Sequence, residues 1–173
     1  MNSSGITSKP ANVALWGPDV FEITTLVQTL KIGKYAQGTA SIHPFNEEIT
    51  FGEKTFVAAV PSGNEGARRS HRQSLADYDS IVYVLDATDN DSLSTSKEEL
   101  NGVLTDEALT KPILILVPKA DASGVANESL LQELGLKQAV AKADGRVAVF
   151  AYSLSPEKSK GFEEGFRWLL QYL

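Results

Sequence analysis

Five short apolar runs punctuate the chain, at Asn12 to Trp16, Phe56 to Val60, Ile81 to Leu85, Ile113 to Val117 and Val147 to Tyr152, and several are almost unbroken by polar residues. A strand with one wet face alternates apolar and polar side chains, so an unbroken run marks a strand buried on both faces, as in a parallel sheet. Helical spacing fills the gaps. It is clearest at the C-terminus, where Phe162, Phe166, Leu169, Leu170 and Leu173 share one face while Glu163, Glu164 and Arg167 point away. Leu26, Val27 and Leu30 give a second helix, Leu93, Leu100 and Leu104 a third, and Leu130, Leu131 and Leu134 a fourth, opened by a cap at Asn127 and closed by Gly135. Alternating strands and helices predict an α/β, doubly wound, mostly parallel six-stranded sheet with helices on both faces and right-handed crossovers. Residues Glu47 to Phe51, followed by Gly52 and Glu53, break the alternation and predict one antiparallel edge hairpin leading into Phe56.

The chain has 173 residues, 42% of them hydrophobic, which is enough for one core and too little for two, so a single domain over 12–173 is expected. Residues 1–11, rich in Ser, Gly, Asn and Pro, read as a disordered leader that forms no amphipathic helix. Acidic residues outnumber basic ones by 22 to 16, a net charge of −6 that opposes broad attraction to nucleic acid or anionic lipid. With no cysteine and only His43 and His71, no disulfide or thiolate site is available and a metal site is not expected. A cytoplasmic setting fits this composition.

Ligands of a doubly wound sheet sit beyond the carboxyl ends of the strands, which directs attention to the loop after Trp16. It reads Gly17-Pro18-Asp19-Val20-Phe21-Glu22-Ile23-Thr24. Against the phosphate-loop pattern G-x-x-x-x-G-K-[ST], Gly17 and Thr24 are in register, while Glu22 replaces the second Gly and Ile23 the Lys. Glu22 also reads as an ordinary first-turn helix acid, and Thr24 as a helix-start residue.

Beyond this loop, several blocks in order resemble the secretion-associated, Ras-related (SAR/ARF-type) small GTPases of the COPII system. They are Ser41-Ile42-His43-Pro44 with Glu47-Glu48, Ala67-Arg68-Arg69, Ser96-Lys97-Glu98-Glu99-Leu100 with Thr105-Asp106-Glu107, and Glu164-Gly165-Phe166-Arg167-Trp168. The resemblance implies a small-GTPase, P-loop NTPase-like fold. It places Val117 to Asp121 on the guanine-reading N-K-x-D motif, of which Lys119 and Asp121 remain, and Ser153 near the base-stacking loop. It also implies switch functions for Ser41, for Val60 and Gly63 of the family's D-x-G-G motif, and for Asn64 at the water-positioning residue.

The departures fall where nucleotide chemistry is done: Val60 is not acidic, Asn64 is shorter than His or Gln, and Pro118 replaces an Asn. A carboxylate about 4 Å from a phosphate charge costs ~4 kcal/mol at an effective dielectric of 20, roughly a thousandfold in affinity. The expectation is therefore a degenerate, pseudoGTPase-like member: not an enzyme, with no cofactor and no metal, acting as a protein-binding module in vesicle trafficking. The alternative is a divergent small GTPase that still binds GDP or GTP with magnesium weakly and acts as a switch in ER-to-Golgi transport. A third reading, a flavodoxin-like enzyme, leaves the ordered blocks unexplained. The expected partner is a protein of the trafficking or coat machinery, met through residues 34–48 and 61–73. No nucleic acid and no direct membrane insertion are expected, so contact with endomembranes is peripheral and runs through that partner. Arg68, Arg69 and Arg72 with His71 read either as a patch for this partner or as a solvated helical face. Trp16 and Trp168 read as packing residues.

Overall fold

The computed structural model describes residues 9–39, 41–119 and 124–173. Elements alternate along the chain. Strand β1 (Ala11–Trp16) leads to α1 (Val20–Ile32), then to the hairpin β2 (Phe45–Phe51) and β3 (Lys54–Val60). A short helix α2 (Glu65–Ser70) and a 3-10 turn at Arg72–Asp77 precede β4 (Ser80–Val84), α3 (Asn90–Leu104) and β5 (Ile113–Pro118). The two-residue β6 (Gly124–Val125), α4 (Glu128–Leu134) and α5 (Lys137–Lys142) come next. Strand β7 (Val147–Leu154), the two-residue β8 (Ser159–Lys160) and α6 (Phe162–Leu170) complete the chain.

The sheet runs in the order β2-β3-β1-β4-β5-β7-β6, with β8 pairing only β7. Pairs β1–β3, β1–β4, β4–β5 and β5–β7 are parallel, while β2–β3, β6–β7 and β7–β8 are antiparallel. The expected six-stranded sheet with one antiparallel edge hairpin is therefore present, and two short strands on β7 extend it. Strand β1 starts at Ala11, one residue inside the expected leader. Residues 1–8 of that leader lie outside the described residues.

The unbroken apolar runs behave as two-sided burial requires. Val13 and Leu15 of β1 face one core layer with Ile23, Leu26 and Phe166, whereas Ala14 and Trp16 face the other with Tyr83, Leu100 and Leu134. One strand thus feeds both layers, because successive side chains point to opposite faces. Helix α6 follows the amphipathic pattern, burying Phe162, Phe166, Leu169 and Leu170. Its Phe166 stacks on Phe56 with ring centroids 5.9 Å apart. Helix α4 is capped as its sequence indicates: the Asn127 side chain accepts from the Leu130 amide, and Gly135 adopts the left-handed conformation that closes it.

Phe166 is fully buried and ties the last helix to the strand that ends at the crevice. Phe166→Ala is expected to cost ~3–5 kcal/mol of stability, the usual range for a buried aromatic truncated to Ala. Urea unfolding checks this, and a loss below about 1 kcal/mol would contradict the packing described.

Candidate functional site

The crevice at the carboxyl ends of β1, β4, β5 and β7 is governed by how the chain leaves β1. Only Gly17, Pro18 and Asp19 separate Trp16 from the first helical residue, Val20. Gly17 takes a φ of 149°, and a Cβ there would lie 2.4 Å from the Val84 carbonyl oxygen, so no larger residue fits this turn. Asp19 then caps the helix. Its carboxylate accepts from the Glu22 amide at 3.1 Å, and its carbonyl accepts from the Ile23 amide at 3.2 Å.

A phosphate cradle needs backbone N–H groups that are free to turn toward an anion. Here the amides at positions 22 and 23 are already satisfied by Asp19. Glu22 supplies the anion instead: the Tyr152 hydroxyl, from the end of β7, donates to its carboxylate at 2.7 Å. Burial raises the Glu22 carboxyl above the ordinary glutamate range; the tyrosine hydrogen bond opposes this, and the charges of Asp19 and Asp86 add to it. Burial, with the Glu22 charge beside it, raises the Tyr152 phenol as well.

The remaining positions of the loop are turned inward. Ile23 is completely buried among Leu26, Val27 and the sheet, so a Lys introduced there would begin in the core and not in the crevice. The Thr24 hydroxyl donates back to the Phe21 carbonyl at 2.9 Å, and Thr24 is only 1% exposed. Gly38 closes over it, since a Cβ at Gly38 would stand 2.5 Å from the Thr24 backbone. Phe21 is exposed and fills nothing. Neither Phe21 nor Ile23 enters the crevice, whereas Glu22 borders it.

The two switch segments are joined to each other. The Gly63 amide donates to the Ser41 carbonyl at 2.6 Å, and the Ser62 hydroxyl donates to the Ile42 carbonyl. The Ser41 hydroxyl accepts from the His43 amide, Val60 is a core residue, and Asn64 caps α2 by accepting from the Ala67 amide. The arginines divide. Arg69 is exposed, with its side chain 75% accessible and paired to Glu65 within one helix. Arg68 is turned inward instead, donating to the Pro18 carbonyl at 3.3 Å and lying 3.7 Å from Glu99. Arg72 pairs with Asp106 at 3.2 Å. The three arginines thus differ in setting: Arg69 is exposed, while Arg68 and Arg72 are engaged with groups outside their own helical turn.

Beyond Glu22 the crevice widens into an open cleft of about 450 Å³, lined by Pro118, Lys119, Tyr152, Ser153 and Leu154 among others. The Lys119 amide donates to the Tyr152 carbonyl at 2.7 Å, which holds the two strand ends together. Its ammonium lies 3.8 Å from Glu133, and among the described residues the buried Ser153 hydroxyl has no hydrogen-bond partner. Asp121 lies outside the described residues. The phosphate-side half, with the amides at 22 and 23 taken by Asp19, the Thr24 hydroxyl covered and the Glu22 carboxylate in place, does not fit a magnesium triphosphate as arranged. No cluster of three or more metal-capable side chains occurs among the described residues.

Sequence reasoning missed Asp19 and Tyr152. Asp19 could have been found, because an N-cap acid three residues before Glu22 is a helix-start signature. Tyr152 carries no such signal, being the last residue of an apolar run.

Sheet order, phosphate-loop position and crevice together define a doubly wound domain of the small-GTPase class. The model of the ADP-ribosylation factor (Arf) family matches residues 1–173, and the chain belongs to that family. It is 27% identical to the small COPII coat GTPase SAR1 of Giardia intestinalis, covering 98% of this chain and 93% of that one. It is 30% identical to the ADP-ribosylation factor-like protein 8b of Arabidopsis thaliana, covering 86% and 80%. A solved structure of the Arl6 BBS3 small GTPase from Trypanosoma brucei, with the nucleotide analogue GppNp bound, is 24% identical. It covers 94% of this chain and 96% of its own with a TM-score of 0.72, a likeness of fold.

Family membership corrects two expectations. The reading of this chain as no enzyme is overturned because its family and its curated relatives are GTPases. The expectation of no cofactor falls with it, since guanine nucleotide and magnesium are what such proteins bind. The residues at Glu22, Ile23, Val60, Asn64 and Pro118 led to those expectations. Among the described residues, no helix is long and apolar enough to cross a membrane.

Because the Glu22 carboxyl is held above its ordinary value, the folded chain binds that proton more tightly than the unfolded chain does. Its contribution is therefore most favourable below the ordinary glutamate value of about 4.3 and is lost as pH rises through the raised value. Glu22→Gln is expected to be more stable than the parent at neutral pH, with the difference vanishing toward acid. Urea midpoints across that pH range check this, and a variant less stable at pH 7 would contradict it.

Proposed function

We propose that this chain is a divergent Arf-family switch that binds GDP and GTP weakly, with magnesium, and serves membrane trafficking of the ER-to-Golgi kind. The observation that carries the reading is the open cleft beside Lys119 and the unpaired Ser153 hydroxyl, in a chain matched to the family along its whole length. Lys119 and Asp121 are the residues assigned to the base, with Ser153 at its edge. Weak affinity follows from Glu22, whose charge opposes the phosphates, and from the loss of a lysine at position 23. Gly17, Thr24, Ser41, Val60, Gly63 and Asn64 keep the family's framework positions without its usual side-chain contacts.

The partner surface is the face formed by residues 34–48 and 61–73, with Ile42 (69% exposed) and Arg69 at its centre. An exposed aliphatic side chain and an exposed arginine, one on each segment, suit a protein contact, where apolar anchors and arginine carry much of the energy. The relatives named as COPII coat GTPases support a coat or trafficking protein as partner, and that partner brings the chain to endomembranes.

Titration with a fluorescent GDP analogue tests the nucleotide reading. The expected result is saturable, magnesium-dependent binding with a dissociation constant on the order of 1–100 μM, weak against the nanomolar range. GDP and GTP should displace the probe and ATP should not. Absence of displaceable binding at about 1 mM nucleotide would defeat the proposal.

A further inference from the structure

Resting on the reading that the crevice takes guanine nucleotide, we propose that Glu22 and Tyr152 form a latch across its phosphate end, which admits phosphates only when the contact opens. The pair acts as a specificity device. It makes each added phosphate a liability, so that the site ranks guanosine and its monophosphate above the diphosphate, and the diphosphate above the triphosphate.

The geometry carries this in three steps. Glu22 stands at the second Gly position of the phosphate-loop pattern, in the first turn of a 13-residue helix whose amide at 22 is already taken by Asp19. Its carboxylate is not swept out into solvent as a first-turn acid on a free helix would be. It is held at 2.7 Å by a hydroxyl from a fully buried tyrosine on β7, so releasing it means breaking a charge-assisted hydrogen bond. The latch also stands in the wall of the open cleft, which Glu22 and Tyr152 line together with Lys119 and Ser153.

The groups around the latch fix the sign of its pH response. Asp19 from the loop and Asp86 from the end of β4 add negative charge, Lys119 and Lys158 line the same cleft, and Arg68 lies across the loop at Pro18. Protonating Glu22 removes the one carboxylate that, among the described residues, borders the cleft, so affinity for phosphates rises as pH falls. The raised carboxyl value brings this response closer to neutrality than an ordinary glutamate would.

Calorimetric titrations of the full chain with guanosine, GDP and magnesium pyrophosphate, from pH 5.5 to 8, test the latch. Glu22→Gln removes the charge, and Glu22→Ala removes the side chain as well. At pH 7.5 Glu22→Gln is expected to bind GDP and pyrophosphate about tenfold tighter than the parent, and Glu22→Ala tighter still, while guanosine binds all three alike. The parent should tighten toward pH 5.5 more steeply than either variant, which separates Glu22 from the titration of the phosphates themselves. Circular dichroism confirms that the variants fold. Unchanged GDP and pyrophosphate affinity in both variants would overturn the latch. If pyrophosphate gains while guanosine and GDP bind none of the three chains, the latch stands and the guanine-nucleotide reading fails.

Discussion

The first turn of α1 is closed by Asp19, whose side chain and carbonyl hold the amides at positions 22 and 23. By accepting from the Glu22 and Ile23 amides it converts the stretch after β1 from a loop with outward-facing donors into the first turn of α1. What remains at the mouth of the helix is the positive end of the macrodipole, and Glu22 meets it with an internal carboxylate. Tyr152 then fixes that carboxylate from the opposite wall of the crevice. The chain therefore supplies from within itself part of the charge and hydrogen bonding that a bound phosphate would supply from outside.

A second consequence concerns the segments that follow. Residues 41–42 and 62–63 bond directly to each other, and Arg68 reaches back to the loop at Pro18 while lying near Glu99, whose carboxylate is also 3.0 Å from the Tyr83 hydroxyl. These contacts hold the face around Ile42 and Arg69 against the sheet through protein groups. Preorganisation of this kind lowers the ordering cost of binding a partner. The sheet and helices are those of an Arf-family protein, and the residues at the phosphate-loop position make the intramolecular contacts described above.

The fold was legible because its causes are local and repetitive. Two-sided burial leaves unbroken apolar runs, α6 shows its face every three or four residues, and the Asn127 and Gly135 caps have steric reasons that hold in any context. The short strands β6 and β8 were not legible, since two residues carry no period and their pairing depends on β7 already being in place. The site was legible in position and not in arrangement. Spacing located Gly17, Glu22 and Thr24, yet gave no means of knowing that Ile23 would point into the core, that Gly38 would cover Thr24, or that Tyr152 would reach Glu22 across 130 residues. The arginine cluster misled for a related reason: a run of like charges in sequence says nothing about which side chains turn inward, and Arg68 does. The larger error was to take altered contacts as loss of function, because charge arguments about single residues set an affinity and do not by themselves abolish one.

The most direct measurement follows the Glu22 carboxyl group itself, by carbon NMR of selectively labelled protein, while GDP and magnesium are added at neutral pH. The expected result is that nucleotide binding moves the carboxyl resonance from its tyrosine-bonded value to that of a solvated carboxylate, in step with saturation. Saturating GDP with the Glu22 resonance unmoved and the Tyr152 contact intact would mean that phosphates and carboxylate share the crevice without opposing each other, which would contradict the central claim.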